Sequence, residues 1–316
     1  MSKESSRFKT LATLTVLSAG AMHLLNRSVA LSSTAKNILR SDNGSFYHWK
    51  YGDVYYKVYG TSNKKLLLLH DLTPLSSGYE WRETVSQLSH DYQVYVVDLP
   101  GCGRSDKPAF TYVNYLYVQF LTSFIQDVIG KPASVVASGF SSSYAVMAAN
   151  ACNEWFSSLT LINPPDLQLM KRIPDLKSKL LRGLLFTPVI GTTLYYVNTN
   201  KYIVEDYLKK QCYANAFFLN STTVDAYHEA AHRGFGKGRF LLGSLLGNYL
   251  NTDMGRVLHD LTVPVRIIYG SEERREPSFI EDYRKLNDSV EIRKIQDSKK
   301  IPQLEKPKHF VEALID

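Results

Sequence analysis

The sequence predicts an α/β protein: a mostly parallel sheet flanked by helices, interrupted by an all-helical insertion that forms a cap. Three observations carry this. Short apolar runs recur along the chain and most end in Gly, Asp or Pro, as strands buried on both faces should. The stretches between them are long enough for crossover helices, and their apolar residues fall at helical spacing. From about 167 to 260 the strand signal vanishes and helical pattern dominates.

The elements follow in order. Residues 1–45 read as an N-terminal hydrophobic helix and a polar linker, "STAKNILRSDNGS". Lys3, Arg7 and Lys9 precede an uncharged, mostly apolar run over 10–25. At 1.5 Å per residue that run reaches about 24 Å, short of the ~30 Å hydrocarbon core. A single-pass membrane anchor, the expectation adopted, needs Phe8 and the segment after Asn26, or a thinned bilayer. A signal peptide cleaved near "AGA", or an amphipathic docked helix, fits the same residues. Arg27, Lys36 and Arg40 follow the run, so its orientation stays open.

Residues 46–316 form the main domain. "FYHWKYGDVYYKVYG" alternates around a turn and reads as a β-hairpin. "KKLLLLH", "YQVYVVDLPG", "ASVVASG", "LTLINPPD" and "VPVRIIYGS" are the buried strands. "YVNYLYVQFLTSFIQDVIG" is a crossover helix stopped by Gly130, and "PKHFVEALID" is a closing helix.

At 316 residues, 44% apolar and 12% aromatic, the chain can bury one large core. Its net charge of +7 comes from scattered residues, with pairs such as Lys64–Lys65, Arg274–Arg275 and Lys299–Lys300. No basic stripe or reader motif accompanies them, so no nucleic-acid partner is expected. A solvated surface, or one facing anionic lipid, accounts for the charge. Cys102, Cys152 and Cys212 lack the number and spacing for a disulfide framework or zinc knuckle, and no cofactor is expected.

The stretch "LLLLHDLTPLSSGYEWRETVSQLSHDYQVYVVDLPGCGRSDKP" carries a His-containing turn followed by D-x-P-G-x-G-x-S-D-x-P. In this it resembles the α/β-hydrolase fold family, and the match runs from about residue 46 to the C-terminus. The resemblance implies a strand-to-helix elbow reading G-x-S-x-G-G, where small residues let the Ser oxygen stand above the sheet. "VVASGFSSSYAVMAA" occupies that place. Ala137 takes the first Gly position, Gly139 the nucleophile, and Ser141 and Ser142 the last two; a register moved by two residues would restore a serine. "YGSEERREP" supplies Gly270, Glu273 and Pro277 where the family has its acid. "KKIPQLEKP" puts Lys300 where it has its histidine, with Pro302, Glu305 and Pro307 in register.

The implied triad positions are thus Gly139, Glu273 and Lys300. Glycine has no nucleophilic side chain, and an ordinary lysine, pKa near 10.4, is protonated at neutral pH and cannot serve as base. Triad hydrolysis is therefore not expected. The backbone oxyanion donors, Leu72 and Phe140, survive in principle. Glu273 and Lys300, opposite in charge, are expected either to pair or to stand as independent surface charges. His70 precedes Asp71, where the family has Gly. Asp71 remodels the turn by bonding nearby backbone, or meets a cation such as Lys300.

Ser141 is a rescue nucleophile, or a cap for the helix that follows. A Ser141–Lys300 dyad requires burial to strip Lys300 of its proton, which Glu273 would oppose. "HEAAH", His228 to His232, matches a zinc-protease pattern but lacks an evident third ligand, so no metal site is expected. Asp166 sits where some relatives carry an alternative acid, and Cys102 is read as a packed loop thiol.

The function these residues imply is a membrane-tethered, non-catalytic protein of hydrolase fold. It binds a small apolar ligand in the cap pocket, or a protein partner, around His70, Asp71, Leu72 and Phe140. The alternative is a serine hydrolase acting on ester or lipid-like substrates through Ser141.

Overall fold

The computed structural model describes the backbone of residues 3–40, 42–273 and 278–315, and the side chains of all of these except 3–12 and 278. The side chains of Lys3, Arg7, Phe8 and Lys9, the Arg274–Arg275 pair and Pro277 lie outside the described residues.

Among the described residues eight strands form one sheet in the order β1-β2-β4-β3-β5-β6-β7-β8. They are β1 (Ser45–Trp49), β2 (Gly52–Tyr59), β3 (Lys65–Leu69), β4 (Gln93–Val97), β5 (Ala133–Ser138), β6 (Phe156–Ile162), β7 (Val265–Gly270) and β8 (Glu291–Ile295). The hairpin β1–β2 is antiparallel and joins β4 antiparallel; from β4 to β8 every pairing is parallel. The period-2 pleat explains the all-leucine β3: Leu67 and Leu69 enter the core on one face, Leu66 and Leu68 the core on the other. Strand β8 was not expected. Its sequence, "EIRKI", is short and charged, as suits an edge strand, and so carries no buried-strand signal.

In chain order the helices are α1 (Lys3–Thr34), α2 (Val85–Leu88), α3 (Asn114–Phe124) and α4 (Ser141–Ala151). The cap follows as α5 (Leu176–Phe186), α6 (Ile190–Asn198), α7 (Lys201–Tyr207), α8 (Ser221–His232) and α9 (Gly238–Leu246). The chain returns through α10 (Gly255–Asp260) and α11 (Ser278–Leu286), and closes with α12 (Pro302–Glu305) and α13 (Pro307–Ile315). Asp175, Asn200 and Asn220 cap α5, α7 and α8 by accepting backbone N–H bonds. Although α10 lies inside the stretch read as cap, it packs on α4 and α11, with Leu258 in the main core. Phe310 and Val311 of α13 fill the core on the opposite face.

Helix α1 has 32 residues and spans about 48 Å. Its C-terminal part is docked: Asn26 and Ala30 are buried, and Asn26 Nδ2 donates to Val189 O (3.3 Å) and Thr193 Oγ1 (3.0 Å) at the α5–α6 bend. Among the described residues no single helix is long and apolar enough to cross a membrane.

The linker after α1 is docked as well. Ile38 and Leu39 donate their N–H groups to Glu229 (2.6 and 3.2 Å), and Leu39 packs on Ala226 and Ala230 of α8. Glu229, the acid of "HEAAH", therefore holds backbone. His232 Nδ1 bonds His228 O (2.8 Å) and its ring stacks on Tyr196. No cluster of three metal-ligating side chains occurs among the described residues.

Candidate functional site

Strand β5 ends at Ser138, and Gly139 turns the chain into α4 with φ +55, a left-handed conformation that favours glycine. This is the sharp elbow of the expected register, with glycine at its apex. Its N–H bonds Ile162 O (2.9 Å), tying the turn to β6.

Above the apex sits Asp71, which follows β3 through His70 and is 2% exposed. Its Oδ1 accepts the N–H of Phe140 at 2.9 Å, the donor expected to face an oxyanion. Its Oδ2 pairs with Lys300 Nζ at 2.9 Å. A Cβ on Gly139 would overlap the Asp71 carboxyl. The chain's own carboxylate thus occupies the space of both a nucleophile's side chain and the negative oxygen it would create.

Lys300 pairs with Asp71, not with Glu273 as one expectation had it, and also donates to Tyr207 Oη at 2.9 Å. Burial alone would lower the lysine's pKa, but the adjacent Asp71 charge outweighs it and holds Lys300 well above its ordinary value. It stays an ammonium and cannot take a proton from Ser141.

Ser141 is buried in the first turn of α4, and its Oγ donates to His70 O at 2.6 Å. The expected capping role is corrected: the hydroxyl gives its proton to a carbonyl and accepts no helix N–H. It does not line the cavity beside Gly139. His70 also stands behind the site and not in it. Its Nδ1 bonds Asp71 O (2.7 Å) and its Nε2 accepts Leu99 N–H (3.0 Å), fixing a neutral ring whose pKa burial lowers. Those two bonds splice the Asp71 turn to the loop after β4. In that loop burial would raise Asp98, but Arg104 lowers it to about 2. Cys102 is buried, donates to Thr73 O and has its thiol pKa raised by burial, so it is a packed thiol.

Sequence reasoning missed Glu80. Its Oε2 accepts the N–H of Asp71 (3.2 Å), and Gln303 Nε2 reaches both it and Ser138 Oγ. Burial first, then the Asp71 charge, raises Glu80 to about 7. The signal available in sequence was only a glutamate inside "GYEW", with nothing to place it under Asp71.

Two chambers meet at this point. One, of about 360 Å³, is lined by Asp71, Gly139, Asn163, Asp166, Glu273 and Lys300 among others, and is the more polar of the two. Asp166 there accepts the N–H groups of Gln168 and Leu169. The other, about 580 Å³ between sheet and cap, is lined by Leu72, Leu75, Leu181, Leu184, Leu185 and Leu242 among others. Phe140, Tyr207, Leu245 and Lys300 line both.

An eight-stranded sheet with this strand order, a glycine-turned elbow after β5 and a helical cap before β7 define an α/β-hydrolase fold. The chain belongs to the alpha/beta hydrolase family, whose pattern it matches over residues 66–314. No curated protein matches it in sequence. Among solved structures it is similar to a serine hydrolase involved in carbazole degradation (TM-score 0.70, 15% identity, 86% of this chain and 96% of that one). An epoxide hydrolase is similar at TM-score 0.70 and 18% identity, over 86% of this chain and 96% of that one. A membrane phospholipase A, described as a bacterial virulence factor, is similar at TM-score 0.67 and 19% identity, over 98% of both chains. At these identities the likeness is one of fold.

Proposed function

We propose that this protein is a non-catalytic member of its family that binds a small apolar ligand in the leucine-lined chamber, at a membrane surface to which α1 contributes. The observation that carries the reading is the Asp71 carboxylate resting on the Phe140 N–H and paired with Lys300. Acyl transfer needs a nucleophile, a base and an empty oxyanion hole. Here the first is a glycine, the second a stabilised ammonium, and the third is filled from within. Membrane association is supported by Leu14, Val16 and Leu17, which α1 leaves exposed.

A second reading is favoured by the company the fold keeps: the similar structures named above are hydrolases. It makes the protein a serine hydrolase of ester or lipid-like substrates acting through Ser141. For that, Ser141 must leave His70 O and Asp71 must vacate the Phe140 N–H.

Labelling of the purified chain with a fluorophosphonate probe, followed by peptide mapping, separates the two. The expected result is no labelled serine in folded protein, together with a raised Tm on adding medium-chain alcohols or fatty acid esters. Labelling at 138–143 that Ser141→Ala abolishes would establish the second reading.

A further inference from the structure

Single exposed leucines are ordinary on a protein surface, but a contiguous apolar face calls for a partner. Helix α5 presents such a face. Leu176, Leu180 and Leu184, spaced i, i+4, i+8, are 73%, 67% and 47% exposed, with Leu181 beside them. Ser178 and Leu185 point inward instead. The face does not stop at α5. The chain bends by 102° into α6, whose Ile190 and Val197 are also exposed, and Asn26 docks α1 at that bend. Together α5 and α6 have the length and composition of a membrane span, yet the bend forbids a straight crossing.

Two further facts select the partner. Residues 167–260 hold twelve Lys and Arg against seven Asp and Glu, so the cap carries an excess of positive charge. Lys177 and Lys179 are exposed beside the leucine stripe, where their stems can lie along the apolar surface and their ammonium groups can reach phosphate. In addition Leu181, Leu184 and Leu246 are more than two-fifths exposed while lining the 580 Å³ chamber, so that chamber opens through this face.

We propose that the outer face of α5, continued over the bend to α6 and α1, rests on an anionic phospholipid bilayer, with the mouth of the leucine chamber against the lipid. An apolar ligand then passes between leaflet and chamber without crossing water. The inference extends the membrane association of the preceding reading from α1 to the cap, and does not depend on whether the site turns over an ester.

The test is co-sedimentation of the full chain with vesicles of phosphatidylcholine alone or mixed with phosphatidylglycerol. Leu176→Asp/Leu180→Asp and Leu14→Asp/Leu17→Asp variants run in parallel, each checked for an unchanged melting curve. Wild type is expected to pellet with the anionic vesicles, less with neutral ones, and less as salt rises. The Leu176→Asp/Leu180→Asp variant is expected to lose at least ~10-fold in partitioning, from the transfer free energy of two leucines. Binding unaffected by that variant but abolished by Leu14→Asp/Leu17→Asp would overturn the cap face while leaving α1 as the membrane contact. A dimer in sedimentation velocity that Leu176→Asp/Leu180→Asp dissociates would overturn it too, assigning the face to a second copy. No pelleting of wild type with either vesicle would reject both membrane contacts and leave the ligand-binding reading to its own test.

Discussion

Asp71 and Gly139 exclude one another's alternatives: the carboxylate lies where a side chain on Gly139 would stand. Gly139→Ser alone should therefore destabilise the fold by about 2–3 kcal/mol, through overpacking and a non-glycine residue at φ +55. Asp71→Gly in the same chain should return most of the overpacking part. A thermal double-mutant cycle reads the coupling, and additive losses would mean the two residues do not share the space.

The Asp71–Lys300 pair is closed on one side and faces the cavity on the other, with side-chain exposures of 3% and 25%. Fully buried pairs lose ~3–5 kcal/mol when one partner is removed. Lys300→Met should fall below that, at about 2–3 kcal/mol, since solvent from the cavity can reach Asp71. Asp71→Asn with Lys300→Met should be better tolerated than Lys300→Met alone, because no unpaired carboxylate remains. Urea denaturation of the three proteins measures it.

Glu80 makes stability depend on pH. Its folded pKa, about 7, lies above the ordinary 4.5, so the folded chain binds more protons than the unfolded one between those values. Stability from this group is present below pH 4.5 and is lost as pH rises to 7, by up to about 3 kcal/mol. His232, lowered to about 4 by burial, acts in the opposite sense below pH 6.5. Comparing wild type with Glu80→Gln cancels that contribution. The variant should gain stability relative to wild type as pH rises from 5 to 7, and parallel Tm curves would contradict the assignment.

Glu229 receives two N–H groups of the linker and the Arg233 guanidinium at once. Glu229→Ala strands the buried N–H of Leu39, at a cost of about 1–3 kcal/mol. Limited proteolysis should then cut faster in 35–44, while a chelator changes neither protein's melting. A Tm drop on chelation would revive a metal at His228 and His232.

Much of the fold was legible in the chain because β3 to β7 are apolar runs whose burial on both faces leaves no alternative pattern. The elbow register was legible from "VVASG" and the helix that follows it, and the positive φ falls at Gly139 as that register requires. Strand β8 was not, because a short edge strand rich in charge looks like any solvated segment. Nor was the linker's docking, which depends on a glutamate nearly two hundred positions away.

For the site, the sequence by itself determined which groups are missing: glycine for a nucleophile and lysine for a base follow from side-chain chemistry alone. What fills their place was a matter for tertiary structure. Sequence left Asp71 open between backbone and a cation such as Lys300, and Lys300 open among Asp71, Glu273 and solitude. Both depend on how close the turn after β3 comes to the loop after β8, where Asp71 Oδ2 and Lys300 Nζ lie 2.9 Å apart. Packing of the sheet brings them together, and a buried charge must be met by its nearest opposite.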